Sequence, residues 1–203
     1  MKKLLLILLC LPMIGFGQLT MIPDANFEQK LINLGYDNGV INGSVYTALI
    51  DTATNLDISS GNISDLTGIE AFTALTYLKC DHNQLTSLDI SNNTALTLLN
   101  CSINLLTSLD VSNNTNLIYL DCYHNQLTSL NVNSSTTLTT LYCGGNQLTS
   151  LDVSSNTVLA NLSCENNQLT SLDVSQNTAL TDLACHYNQL TTLDVRNGNN
   201  MNF

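Results

Sequence analysis

Apolar and polar residues alternate in short runs along most of this chain, and the runs recur every 21 residues. Leu78 and Cys80 alternate with Tyr77 and Lys79, and Leu88 and Ile90 alternate with Ser87 and Asp89. A period of two predicts short strands with one buried edge. The same phase returns at Leu78, Leu99, Leu120, Leu141, Leu162 and Leu183. It returns at Cys80, Cys101, Cys122, Cys143, Cys164 and Cys185, and at Asn83, Asn104, Asn125, Asn146, Asn167 and Asn188. A fixed period in the twenties predicts a solenoid, in which no coil buries enough apolar surface to fold alone and stacking supplies the core.

Each unit is predicted to carry two extended segments facing each other across a narrow core, so that stacked coils form two parallel sheets with strands ~4.8 Å apart. Asn83 and Asn93 mark the turns, with the Asn amides bonding the backbone of the next coil. Six 21-residue units fill 75–200, beginning at Leu75, Leu96, Leu117, Leu138, Leu159 and Leu180. A 22-residue unit, 53–74, precedes them with Leu56-Asp-Ile58, Ile63 and Leu66, and its back is predicted to be helical or 3-10.

The first half of the unit, Leu75-Thr-Tyr-Leu78-Lys-Cys80-Asp-His-Asn83-Gln-Leu85, resembles the leucine-rich-repeat pattern LxxLxLxxNxL. The second half nearly repeats the first, ending Leu88-Asp89-Ile90. This nested form resembles the 21-residue bacterial class called IRREKO. The resemblance implies a leucine-rich-repeat solenoid with parallel β strands in stacked coils, used for binding rather than catalysis.

The flanks complete the domain plan. Met1-Lys2-Lys3 followed by an apolar run from Leu4 to Phe16 and small residues at Gly15 and Gly17 predicts a signal peptide over 1–17. Secretion or display at the cell surface follows, with no membrane insertion after signal removal. Residues 18–52 are expected to be an N-terminal cap with a helix over about 24–34: Asp24 as N-cap, Phe27, Leu31 and Leu34 as one apolar face, and Gly35 ending it. Ile22-Pro-Asp-Ala-Asn-Phe27-Glu resembles the caps of secreted bacterial leucine-rich-repeat proteins, many of which carry a C-terminal sorting domain. The sequence ends at Phe203, and 201–203 read as an uncapped tail. Leu183, Cys185, Leu190 and Leu193 are therefore expected to lie open at one end, as in a fragment, a truncated product or an end-to-end assembly.

The two outward faces differ in how much they vary between units. The second half keeps a ladder of Thr (Thr86 to Thr191), one of Ser (Ser87 to Ser171) and one of acids: Asp89, Asp110, Asp152, Asp173 and Asp194, interrupted by Asn131. The first half varies freely and holds all three His and five of the seven Tyr. Tyr gives large contact area at low entropy cost. The candidate ligand-binding residues are therefore Tyr77, Lys79, His82, Tyr119, Asp121, Tyr123, His124, Tyr142, Glu165, His186 and Tyr187. The expected partner is a protein or a glycan. A structural spacer and ordered-surface binding by the Thr/Ser/Asp face are the alternatives.

Charge narrows the partner. The chain carries −11, and loss of Lys2 and Lys3 makes it more negative. Nucleic acid and acidic lipid surfaces are disfavoured. The acid ladder is read as solvated or structural, with calcium between coils as the alternative, although no calcium-loop motif surrounds it. The cysteines follow the repeat period and are read as buried thiols rather than a disulfide framework. No zinc spacing, nucleophile motif or phosphate loop is present, so no metal site, cofactor or catalytic residue is assigned.

Overall fold

Two outward residues and one inward residue per strand are enough to define the observed sheet. In the computed structural model, which describes residues 17–195, the chain forms β1 (Leu19–Met21), α1 (Ala25–Asn33), β2 (Ser44–Tyr46) and β3 (Asn55–Asp57). Six strands of identical phase follow: β4 (Tyr77–Lys79), β5 (Leu98–Asn100), β6 (Tyr119–Asp121), β7 (Thr140–Tyr142), β8 (Asn161–Ser163) and β9 (Asp182–Ala184). β3 to β9 form one seven-stranded sheet in sequence order. Every pairing is parallel, and the central Leu of β4 pairs with the central Leu of β5. Hydrogen bonding continues past the strand ends: the Cys101 N–H donates to the Asp121 carbonyl and the Ile103 N–H to the Tyr123 carbonyl, both at 2.8 Å.

The core is a stack of equivalent layers. Leu96, Leu99, Cys101, Leu106 and Val111 of one coil are fully buried, and so are Leu117, Leu120, Cys122, Leu127 and Val132 of the next. Cysteine fits the third position because it is small and apolar. All six repeat cysteines are free thiols. Burial pushes their ionisation up, to about 12 for Cys164.

Two asparagine ladders tie the coils together. Asn125 Nδ2 donates to the Cys122 carbonyl of its own coil and to the Cys101 carbonyl of the preceding coil, both at 3.1 Å. Its Oδ1 accepts the buried Leu106 N–H at 3.0 Å. Asn104 and Asn146 do the same one coil either side. The bonds thus run to the preceding coil, not to the next as the sequence suggested, because the amide sits after the strand and reaches back under it. The second ladder, Asn93, Asn114, Ser135, Asn156 and Asn177, is fully buried. Asn114 Nδ2 donates to the Ile90 and Asn93 carbonyls.

Of the two expected sheets, one forms. Leu88-Asp89-Ile90 and its equivalents keep the alternation in burial but make no strand pairing. The acid ladder closes a turn in each coil instead. Asp89 Oδ1 accepts the Ser91 N–H at 3.0 Å, and Asp110, Asp152 and Asp173 do the same with Ser112, Ser154 and Ser175. Asn131 bonds the Asn133 N–H in the same way, so the one break in the acid ladder preserves the turn.

At the N-terminal end β1 and β2, separated in sequence by α1, pair antiparallel, a pairing that three-residue strands do not announce in sequence. Asp24 Oδ1 caps α1 through the Asn26 and Phe27 N–H groups, and its Oδ2 accepts the Ser64 and Asp65 N–H groups, fastening the helix to the first coil. Phe27 and Leu31 are buried, with the Phe27 ring 6.4 Å from Phe72. Leu34 departs from the expected apolar face: it is exposed, because it falls at the C-cap where the chain turns away. Glu28 is fully buried and accepts the Asn42 and Gly43 N–H groups, holding the loop before β2. Gly68 (φ +105) packs against β1, where a Cβ would lie 2.4 Å from Ile22 and 2.6 Å from the Met21 carbonyl. The 22-residue unit has a 3-10 back, Ile69–Ala71. Residues 1–16 and 196–203, on which the signal-peptide and tail readings fall, lie outside the described residues. In the last described coil Leu183 is buried, while Cys185, Leu190 and Leu193 are half-buried. Among the described residues, no helix is long and apolar enough to cross a membrane.

Candidate binding face

Strand register arranges the outward side chains of β4 to β9 in rows. The first strand residues form one row, Tyr77, Leu98, Tyr119, Thr140, Asn161 and Asp182, and the third residues another, Lys79, Asn100, Asp121, Tyr142, Ser163 and Ala184. Two residues further on lie Asp81, Ser102, Tyr123, Gly144, Glu165 and His186. Neighbouring coils therefore bring together residues far apart in sequence.

Side chains of different rows meet over β6 to β8. The Tyr119 ring meets Tyr142 edge-on, 5.7 Å between centroids. This diagonal pair is the contact expected of aromatic residues on adjacent strands. Asp121 lies beside it. Asp121 Oδ1 accepts the Tyr123 N–H at 3.0 Å, and Oδ2 faces the Tyr119 hydroxyl at 3.5 Å. Burial, then the Asp81 charge, push the Asp121 carboxyl above the usual range. Burial and the neighbouring Asp121 push the Tyr119 hydroxyl up to about 12. Asp121, Tyr123, Tyr142 and Ser163 line a hollow of about 230 Å3. A second, of about 400 Å3, shares Tyr142 and Ser163 and continues over β8 and β9.

Glycine at 144 shapes this part of the face. A Cβ there would lie 2.8 Å from the Glu165 carboxylate, so that carboxylate sits over position 144. Glu165 is held by the Ser163 hydroxyl, which donates to Oε2. Sequence reasoning picked Glu165 but not Gly144, Ser163 or Asp81. The Gly144-Gly145 pair in an otherwise side-chain-bearing row was the available signal.

The other candidates lie to either side. Lys79 stands 5.7 Å from the Tyr77 ring centroid, and His82 Nδ1 is 2.9 Å from Asp81 Oδ2. Tyr123 packs on His124 at 4.3 Å, and His186 on the exposed Tyr187 at 5.0 Å. His82, Ile103, His124, Gly145, Asn166 and Tyr187 all occupy the same left-handed turn position, φ between 50 and 64°. The side chains of His82, His124 and Tyr187 are therefore aimed by a turn and not by the sheet. Among the described residues, no three His, Cys, Asp or Glu side chains converge as a metal site.

The coil, the single parallel sheet and the asparagine ladder define a leucine-rich-repeat solenoid. No family model matches the chain. Among solved structures, the functional domain of internalin J from Listeria monocytogenes, described as including a cysteine ladder, superposes with a TM-score of 0.72. It is 36% identical, over 91% of this chain and 46% of that one. Internalin F from the same species gives 0.79 at 24% identity, over 85% of this chain and 52% of that one, a likeness of fold. A leucine-rich-repeat protein of Leptospira interrogans gives 0.64 at 28% identity, over 72% of this chain and 40% of that one. In sequence, internalin J is 50% identical over 42 residues, 21% of this chain and 5% of that protein. The chain thus spans about half or less of these relatives. It is a bacterial leucine-rich-repeat protein with 21-residue repeats, similar to internalin J down to the column of cysteines.

Proposed function

We propose that this chain is a secreted or surface-displayed interaction module that recognises a protein or glycan through the outward face of its seven-stranded sheet. One observation carries the reading. The positions that build the solenoid repeat almost unchanged, whereas the sheet face varies and gathers Tyr119, Tyr123 and Tyr142 over adjacent strands. Aromatic side chains clustered near the centre of a surface, around polar groups, are the usual anchors of protein recognition. Tyr77, Lys79 and His82 extend the face on one side, and His124, Glu165, His186 and Tyr187 on the other. The likeness to internalins and the signal-type N-terminus support a role outside the cell.

The test is a pull-down from the native environment with the chain as it exists, followed by affinity measurement on captured partners. Tyr119→Ala with Tyr123→Ala should abolish capture. Thr128→Ala with Thr149→Ala on the opposite face should leave it intact. The reverse pattern moves the site to the Thr/Ser ladder, and an effect from coil deletion alone indicates a spacer.

A further inference from the structure

We propose that the hollow over β6 to β8 seats one basic side chain of a protein partner, with arginine preferred to lysine. The inference rests on the proposed recognition role of this face and names the chemistry it takes. About 230 Å3 is below the ~300–1,000 Å3 of pockets that enclose a whole small molecule. It suits one long side chain entering from above.

Its lining has the composition that a cation needs. Tyr123 and Tyr142 supply aromatic walls, and the Tyr119 contact fixes the Tyr142 ring. Asp121 lies in the lining, and Glu165 reaches over Gly144 beside it. Among the described residues, no lysine or arginine forms a salt bridge with either carboxylate; the ion pair on this face is His82 with Asp81. Asp121 Oδ1 is engaged by a backbone N–H, but Oδ2 has only the Tyr119 hydroxyl at 3.5 Å, too long for a strong bond. A half-buried carboxylate without a cation is unfavourable, and burial accordingly raises its ionisation range.

The fold does not require that charge. In the preceding coil Asn100 occupies the same position and makes the same turn bond, accepting the Ser102 N–H at 3.0 Å. Gly144 is likewise unforced by its own coil, since the equivalent positions carry Asp81, Ser102, Tyr123 and His186. A charge that costs stability and a missing side chain that lets a second carboxylate lean in converge at one place. A guanidinium answers both, because it stacks on tyrosine rings and bonds a carboxylate through two N–H groups. An ammonium meets only the charge.

The experiment is a titration of the 15N-labelled full chain, followed by amide chemical shifts. The probes are acetyl-Gly-Arg-Gly-amide, its lysine and citrulline counterparts, and a neutral chitooligosaccharide. The arginine peptide should saturate shifts at Tyr123, Tyr142, Gly144 and Ser163 with a Kd on the order of 1–10 mM. Lysine should bind several-fold more weakly and citrulline not at all. Asp121→Asn and Glu165→Gln should each weaken the arginine peptide by about tenfold, with the fold intact by the remaining spectrum. The proposal is overturned by an absence of saturation, by unchanged affinity in both variants, or by equal shifts along the Asp89 to Asp173 ladder. It is also overturned if the oligosaccharide moves the same amides regardless of Asp121→Asn, a result that leaves the recognition face standing. Arginine binding here, combined with partner capture that ignores Tyr119→Ala and Tyr123→Ala, sinks the proposed function instead.

Discussion

Replacing Asn125 by Ala removes one rung of the ladder, the one that joins its own coil to the preceding coil. Its Oδ1 is the acceptor for the Leu106 N–H at 3.0 Å, in a position closed to water. An orphaned buried N–H costs about 1–3 kcal/mol. The two carbonyls fare better. Cys101 O keeps the Asn104 amide, and Cys122 O keeps the Asn146 amide, so each loses one of two donors. Two lost net hydrogen bonds add about 0.5–1.5 kcal/mol each. The sum is about 2–6 kcal/mol, a large fraction of the roughly 5–15 kcal/mol that holds a typical domain. Urea unfolding followed by circular dichroism measures it, with Gln126→Ala as the control. Gln126 is exposed, so its loss should stay within about 0.5 kcal/mol. Because coils can unfold separately, the slope must be checked: a shallower transition means that the array has split at the missing rung. A loss under about 1 kcal/mol at unchanged slope would refute the view that these amides hold the coils together.

Three further outcomes are expected. Ile103 is a β-branched residue at φ +52, where Asn166 stands three coils later; Ile103→Asn should raise stability by about 1 kcal/mol in the same urea assay, and a loss would place the strain elsewhere. In native buffer near pH 8, Ellman's reagent should modify half-buried Cys185 first and reach Cys80, Cys101, Cys122, Cys143 and Cys164 only on unfolding, since burial raises their ionisation; five fast thiols in the folded chain would contradict this. Hydrogen bonds from the side chain and backbone of Ser91 hold Asp89 low, and those from Ser112, Ser154 and Ser175 do the same for Asp110, Asp152 and Asp173. Depressed folded values mean stability present above the unfolded value of about 3.9 and lost as pH falls through the folded one. Melting temperature should therefore drop below about pH 4, and a rise there would reverse the sign.

The coil and its core were legible because the repeat samples each position six times. Leu78, Cys80 and Leu85 are buried where alternation put them, and so are their counterparts. The second sheet was misread because alternation reports burial, not pairing. Leu88 and Ile90 do face inward, but their segment pairs with no neighbouring strand, and a sequence pattern does not reveal which acceptor an N–H takes. The β1–β2 pairing escapes for the opposite reason: Thr20 and Val45 are single inward residues of three-residue strands, too little period to detect. On the face, the Tyr119–Tyr142 contact follows from the 21-residue register alone. The lean of Glu165 over Gly144 does not, since it depends on a rotamer and on the Ser163 hydroxyl.

The repeat also supplies controls that most proteins lack. Position 100 and position 121 are the same place in consecutive coils, with the same turn bond at the same 3.0 Å, and they differ only in charge. At the acid ladder on the other side the comparison runs the opposite way: Asn131 replaces Asp, and the exposed carboxylates around it sit lower than usual because hydrogen bonds favour their charged form. One kind of aspartate is thus stabilised by its turn, and Asp121 is opposed by its burial. Asp121→Asn should consequently raise the melting temperature at pH 7 while Asp110→Asn should not, although both keep their turn bonds. The raised folded value of Asp121 sets the window: its contribution against folding begins near the unfolded value of about 3.9, grows as pH climbs towards the folded value, and is complete above it. Equal effects from the two substitutions, measured by calorimetry at pH 7 and at pH 3, would remove the distinction. A single unfavourable charge kept among coils that manage without it separates what this solenoid needs in order to stand from what its face presents.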